Sequence, residues 1–190
     1  MWEVCPPQPV KLICGILACD ASALDAARQR LTAEFGAADL VSEVYPFDMT
    51  TYYAQQAGTD ILRQFVAFAE LIDPGRLAAV KHTTNRLERE LAAELNRPWP
   101  RPINLDPGLI EPSKLVLAST KNFAHRVYIG DNMYAEVTMT YVRGVWQTFP
   151  FTFPDFKSGR YNDFLSRVRK RLSEQLKEVS RPEDTYDHNR

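Results

Sequence analysis

The ionisable residues best suited to chemistry are concentrated between residues 104 and 141. Lys114, Lys121 and Arg126 supply three cations there, and Thr120 adds a hydroxyl. Arginine holds a carboxylate or phosphate through two parallel hydrogen bonds, whereas lysine acts as a point charge. The stretch therefore predicts a site for a small anionic or phosphorylated ligand. The alternative is that these cations are solvated ends of strands, as most lysines and arginines are.

Two further residues of this stretch have proton-transfer chemistry. His125 has a side chain that titrates near neutrality, and Glu136 is a carboxylate on the polar face of a predicted strand. We predict both as candidate catalytic groups. Two alternatives stay open: His125 is only hydrogen-bonded at a strand start, or Glu136 pairs with Arg126 across a hairpin.

Asp106 is the candidate metal ligand. Together with Asp48 and Glu136 it offers carboxylate oxygens, which a divalent cation such as Mg²⁺ accepts. Asp106 also directly precedes Pro107-Gly108, so capping of a turn explains it equally well. Cys5, Cys14 and Cys19 match no zinc pattern and are predicted to be reduced thiols, most of them buried, with redox or metal roles as the alternative.

Hydrophobic periodicity predicts the elements that must position these residues. Apolar residues at spacings of three and four predict helices near residues 22–35, 74–96 and 158–178. Apolar runs and alternation predict strands at residues 11–19, 39–47, 103–106, 124–129, 133–142 and 145–156. Turns are predicted at Pro107-Gly108 and Gly130-Asp131-Asn132. Two segments are ambiguous between strand and helix, residues 62–72, which favour a strand, and 113–120.

These elements predict an α+β protein with a mixed, mostly antiparallel sheet and three main helices packed against it. A ferredoxin-like topology is one candidate. The proline-rich segment 97–102 reads as a crossover or a domain boundary, and one shared sheet is the more economical choice. We therefore expect a single domain over residues 1–182, followed by a disordered tail at 183–190.

Composition narrows the functional classes. The chain has 190 residues, 45% of them hydrophobic, and a net charge of −1, so no global field attracts nucleic acid or an anionic membrane. The first apolar run, residues 12–19, is too short to span a bilayer. We expect a cytoplasmic protein with no nucleic-acid or membrane partner, and a homo-oligomer stays open.

A second functional class rests on aromatic residues. Phe149, Phe151 and Phe153 alternate along a predicted strand that Pro150 and Pro154 confine to a sheet edge. Such an edge suits a non-catalytic module that dimerises or docks a partner. Ordinary core packing is the alternative explanation for these rings.

Five motifs along the chain carry a family resemblance: EVYPFDMTTYY at 43–53, NLDPG at 104–108, SKLVLASTK at 113–121, HRVYIG at 125–130 and YAEVT at 134–138. With them the sequence closely resembles the bacterial domain-of-unknown-function family forty-four sixteen. The resemblance implies a single-domain bacterial protein without an established activity, some of whose relatives carry the label of GTP-binding protein. A P-loop GTPase needs a glycine-rich loop with a lysine after the first strand. The corresponding segment, ILACDASAL at 16–24, has neither, so any binding of GTP would use another mechanism.

Overall fold

The computed structural model describes residues 3–49 and 53–179, and the predicted tail at 183–190 lies outside them. The described residues form a nine-stranded antiparallel sheet with helices on both faces. The strands are β1 (Val10–Ala18), β2 (Ala38–Val41), β3 (Tyr45–Pro46), β4 (Leu62–Ile72), β5 (Ile103–Ile110), β6 (Lys114–Ser119), β7 (Val127–Gly130), β8 (Met133–Val142) and β9 (Val145–Thr148). The helices are α1 (Ala21–Phe35), α2 (Ala54–Ala57), α3 (Leu77–Leu95), α4 (Pro154–Lys157) and α5 (Asn162–Val179), and the 3-10 turn Pro74–Arg76 leads into α3.

The strand order identifies the topology. The sheet runs β2-β4-β1-β5-β6-β8-β7, with β3 beside β4 and β9 beside β8. In β1-α1-β2 and in β4-α3-β5, the helix joins two strands that are parallel to each other and separated by one antiparallel strand. Two such split β-α-β units define a ferredoxin-like arrangement. The structure therefore confirms the α+β class, and the predicted ferredoxin-like topology describes the half from β1 to β5.

The sheet is covered on both faces. All nine residues of β1 are buried, and all but Lys11 are apolar or glycine, as expected for a strand that is covered on both faces. Leu12, Cys14 and Ile16 pack with α1 and α3 on one face, whereas Ile13 packs with α5 on the other. The apolar stripe of α5 thus covers the face that the ferredoxin-like half alone would leave open to water.

The three predicted long helices are confirmed, with one boundary shifted. α1 begins after Asp20, whose carboxylate accepts a hydrogen bond from the Ala23 amide at 2.8 Å. The third helix begins at Asn162 rather than near residue 158, because Gly159 has a φ of +77° and separates it from the short α4. The ambiguous segments 62–72 and 113–120 are strands β4 and β6.

Four predicted strands differ from the structure. The strand predicted for 124–129 begins only at Val127, so His125 and Arg126 precede β7. Residues 39–47 form two short strands, because at Ser42 the side-chain hydroxyl accepts the hydrogen bond from Phe65 N at 2.9 Å, and the Ser42 backbone oxygen accepts from the Gln64 side chain instead. The strand predicted for 145–156 ends at Thr148, and Thr152 N closes a turn on Phe149 O at 3.1 Å. The turn predicted at Pro107-Gly108 is absent from β5, which pairs with β1 without interruption from Ile103 to Ile110. Asp106 therefore lies inside a strand and not at its end.

The cysteines are free thiols. Cys14 is buried, Cys19 is half-buried and Cys5 is exposed. Burial raises the pKa of Cys14 above its ordinary value, so this thiol stays protonated inside the core. The prediction of a buried thiol thus fits Cys14 best.

Candidate functional site

A cleft of about 350 Å³ opens where two neighbouring strands separate. β5 and β6 pair only between Gly108 and Ile110, so the first half of β5 and the end of β6 diverge. Nineteen residues line the gap: Phe47, Tyr53, Gln56, Arg63, Lys81, Arg101, Asn104, Asp106, Leu117, Ala118, Ser119, Thr120, Lys121, Arg126, Glu136, Phe153, Pro154, Asp155 and Phe156.

Gly108 marks the point at which the strands part. A Cβ atom at this position would lie 2.5 Å from the backbone oxygen of Val116, so only glycine allows β6 to approach so closely. The next residue toward the cleft, Pro107, has no N–H to donate to a neighbouring strand. The Pro-Gly pair that predicted a turn instead ends the β5–β6 ladder.

Along the first half of β5, which does not pair with β6, side chains of α3 hydrogen-bond to the β5 backbone. Lys81 Nζ donates to Leu105 O at 2.8 Å, and Leu105 N donates to Glu88 Oε1 at 2.7 Å. Arg101 in turn donates to Glu88 Oε2 from Nη2 at 2.7 Å. An unpaired buried backbone group is costly, so these contacts stabilise the open edge of β5 and fix one wall of the cleft.

A buried arginine forms the floor of the cleft. Arg63 of β4 donates from Nη1 to Asp106 at 3.2 Å and from Nη2 to Asp155 at 3.1 Å. Its guanidinium also lies 5.1 Å from the ring centroid of Phe65. A Cβ at Gly15 of β1 would stand 2.7 Å from Nη1, so the missing side chain of this glycine makes room for the charge.

The charges of this floor stabilise one another. Burial alone would raise the pKa of Asp106, but Arg63 and Lys81 outweigh it and hold the pKa below its ordinary value. Burial alone would lower the pKa of Arg63, but Asp155 and Asp106 raise it above its ordinary value. Both groups therefore stay charged at neutral pH.

Glu136 lies on the other side of the cleft, on β8. It is 3% exposed, and its Oε2 accepts a hydrogen bond from Arg126 Nε at 2.7 Å. His125 Nε2 lies 3.0 Å from the same oxygen, and the His125 ring stacks on Phe151 with centroids 4.1 Å apart. The Arg126–Glu136 pair that the sequence allowed is therefore present, and it holds the arginine at the cleft.

The structure brings most of the predicted site residues together. Thr120, Lys121, Arg126, Glu136 and Asp106 line the cleft. His125 adjoins it through Glu136. Lys114 does not reach it, because this lysine lies at the opposite end of β6 and pairs with Glu111.

The predicted carboxylate set is not gathered in one place. Asp48 pairs with Arg160 at 3.0 Å, outside the cleft, while Asp106 pairs with Arg63. Across residues 3–49 and 53–179, three or more His, Cys, Asp or Glu side chains are nowhere grouped so that they could hold a metal ion.

The cleft residues that lay outside the predicted site include four charged residues and a buried amide: Arg63, Lys81, Arg101, Asp155 and Asn104. One signal was available for α3, where Lys81, Thr84 and Glu88 share the spacing of the apolar stripe and are buried with it. Polar residues inside a predicted buried stripe indicate a buried network. Asn104 and Asp155 had no comparable local signal.

Two buried polar atoms of the cleft lining make no hydrogen bond of ordinary geometry within the described residues, Arg63 Nε and Asn104 Nδ2. Asn104 belongs to β5. It is 5% exposed, and its Nδ2 has no hydrogen-bond partner of ordinary geometry, although its amide helps to lower the pKa of Asp106. A buried donor without an acceptor is uncommon in folded proteins. The cleft therefore contains a buried donor whose hydrogen bond within the protein is not of ordinary geometry.

In the part of the chain that the structure describes, no helix has the length and apolarity needed to cross a bilayer.

Comparison with known proteins identifies a family and no characterised relative. No curated protein sequence and no solved structure matches the chain. The family described as Domain of unknown function (DUF4416) matches residues 8–172, which include every residue that lines the cleft. The chain therefore belongs to the DUF4416 family.

Proposed function

We propose that the protein binds a small anionic ligand in the cleft between β5 and β6, in the cytoplasm of a bacterium. One observation carries the proposal: five cationic side chains and only three carboxylates surround a single cleft of about 350 Å³. The cations are Arg63, Lys81, Arg101, Lys121 and Arg126. In a cleft with low-dielectric walls such an excess concentrates anions. The volume is that of a small-molecule site.

The cations have two different tasks. Arg63 and Lys81 contact Asp106 and Leu105 of β5, and Arg101 contacts Glu88 of α3, so these three cations shape the β5 side of the cleft and set the electrostatic field. Lys121 and Arg126 stand beside the hydroxyls of the β6 end. We assign direct contact with the anion to this second pair, because hydroxyl and cationic donors together suit phosphate or carboxylate oxygens.

Arg126 is held in place for this role. Its Nε donates to Glu136, and its Nη1 donates to Lys121 O at 3.0 Å. Two fixed contacts reduce the entropy that the side chain loses when it binds a ligand. Asp106 accepts a hydrogen bond from Arg63. We therefore propose that Asp106 positions Arg63 and is not a metal ligand.

Thermal unfolding in inorganic phosphate tests the proposal. At a concentration tenfold above Kd, phosphate should stabilise the folded protein by about 1.4 kcal/mol. For a chain of this size that corresponds to a rise in Tm of about 3–6 °C. Arg126→Ala and Lys121→Ala should lose this rise.

Lys114→Ala is the matched control, because Lys114 lies on the same strand but outside the cleft. It should keep the full phosphate response. The proposal is wrong if phosphate stabilises neither the wild type nor Lys114→Ala. It is also wrong if Lys114→Ala loses as much of the phosphate response as Arg126→Ala.

Catalysis stays a prediction. Glu136 lines the cleft and His125 contacts Glu136, so Glu136 is the group placed to exchange a proton with a bound ligand.

Partner docking through the aromatic–proline segment also stays a prediction. Its expected edge strand is replaced by a turn, and Phe151 stacks on His125.

A further inference from the structure

We infer that the ligand of this cleft is a flat ring that carries a phosphate or carboxylate group, and not a bare inorganic anion. This inference rests on the proposed function and adds the chemical class of the ligand. It follows from the composition of the lining, which combines cations and hydroxyls with aromatic rings, and from a buried amide that also lines the cleft.

One wall is an anion-binding cluster, formed by Ser119, Thr120, Lys121 and Arg126. Lys121 N donates to Ser119 Oγ at 3.1 Å, and Arg126 Nη1 donates to Lys121 O. These contacts tie the cluster into one unit on the β6 side. The cluster has cations and hydroxyls, so it suits the charged end of a ligand.

Another wall of the cleft is aromatic. Phe47 packs with Leu17 of β1, and its ring centroid lies 5.9 Å from that of Tyr53. Phe153 and Phe156 enter the cleft from α4 and its N-terminal end. Phe153 is 42% exposed as a residue, so it offers apolar area that a ligand would remove from water.

Asn104 of β5 also lines the cleft. Its buried Nδ2 interacts with the Asp106 carboxylate but makes no hydrogen bond of ordinary geometry. A phosphate bound at the anion-binding cluster would leave Phe153 exposed and would not use the aromatic wall. A ring that carries the anionic group covers Phe153, and an oxygen on that ring or on its anion accepts from Asn104.

The size of the cleft limits the ring system. About 350 Å³ is near the lower end of the range for small-molecule sites. A single ring with one or two polar groups therefore fits better than a dinucleotide or a peptide.

Calorimetric titration with phenyl phosphate and methyl phosphate tests the inference, because these probes share the phosphate and differ in the ring. We expect the wild type to bind phenyl phosphate at least about tenfold more tightly than methyl phosphate. Phe153→Ala should reduce this ratio to within about twofold, with little change in the affinity for methyl phosphate. Phe153→Leu, which keeps apolar volume but loses the flat face, should retain part of the ratio.

Phe123→Ala is the matched control, since Phe123 is exposed but does not line the cleft. It should leave the ratio unchanged, and thermal unfolding checks that each variant is folded. If the wild type binds the two probes with equal affinity and Arg126→Ala weakens the binding of both, the ring inference is wrong and the proposed anion site is retained. Failure of both probes to bind would overturn the inference together with the proposed function.

Discussion

Replacing Arg63 by methionine tests the ion-pair floor of the cleft. The substitution keeps an apolar stem and removes the guanidinium, so Asp155, whose side chain is 4% exposed, loses its cationic partner. The hydroxyl of Tyr161, which donates to Asp155 Oδ2 at 3.2 Å, remains but carries no charge. Asp106 keeps the field of Lys81 and some contact with water. The main cost is therefore the charge of Asp155 left buried and unpaired.

Breaking a buried ion pair by removing one partner costs about 3–5 kcal/mol of folding free energy. For a chain of this size the same loss lowers Tm by about 6–20 °C. Urea unfolding at neutral pH, followed by circular dichroism, measures the free energy directly. The double variant Arg63→Met/Asp155→Asn removes the Asp155 charge that the single variant leaves unpaired. It should therefore recover at least about 1 kcal/mol of the free energy of unfolding.

Arg28→Met is the matched control. Arg28 pairs with Asp25 on the surface of α1, where both side chains are largely in water. We expect a loss of less than about 0.5 kcal/mol, as is usual for exposed ion pairs. The reasoning about the floor fails if Arg63→Met is as mild as this control. It also fails if the double variant Arg63→Met/Asp155→Asn is less stable than Arg63→Met alone.

Two further predictions concern Trp99 packing and acid stability. Gly58 and Gly36 share a φ of +88°, but a Cβ on Gly58 would lie 2.9 Å from Trp99, whereas nothing lies within 4 Å of one on Gly36. Gly58→Ala should therefore cost about 1–3 kcal/mol more than Gly36→Ala in urea unfolding, and equal costs would contradict the close packing. Because the folded pKa of Asp106 is depressed, its ionisation stabilises the protein fully above the unfolded pKa of about 3.9 and less as pH falls through the folded pKa. The stability difference between wild type and Asp106→Asn should shrink below about pH 4, and a constant difference would exclude an ionised Asp106 as its source.

Local patterns in the sequence predicted much of the fold. The leucine stripe of α3 predicted a helix, and the hairpin between β7 and β8 followed from Gly130-Asp131-Asn132. All three of these turn residues have positive φ, which glycine, asparagine and aspartate tolerate best. These features depend on neighbours within a few residues, so one sequence is enough to predict them.

The cleft was only partly predictable, because long-range pairing decides its composition. Pro107-Gly108 is a turn signal in isolation, yet continuous pairing with β1 keeps it extended. Arg63 and Asp155 are 92 residues apart in the chain and meet only because β4 and α4 pack on the same face. The predicted cluster from Thr120 to Glu136 was found because its members are close in sequence.

Location of a bound anion by X-ray diffraction tests the central claim most directly. Selenate is a tetrahedral dianion like phosphate, and its selenium is identified by anomalous scattering in soaked crystals. We predict a selenium peak in the cleft, with selenate oxygens roughly 3 Å from donors of Lys121 and Arg126. An empty cleft, with selenate bound only to exposed cations such as Lys170 on α5, would contradict anion binding between β5 and β6.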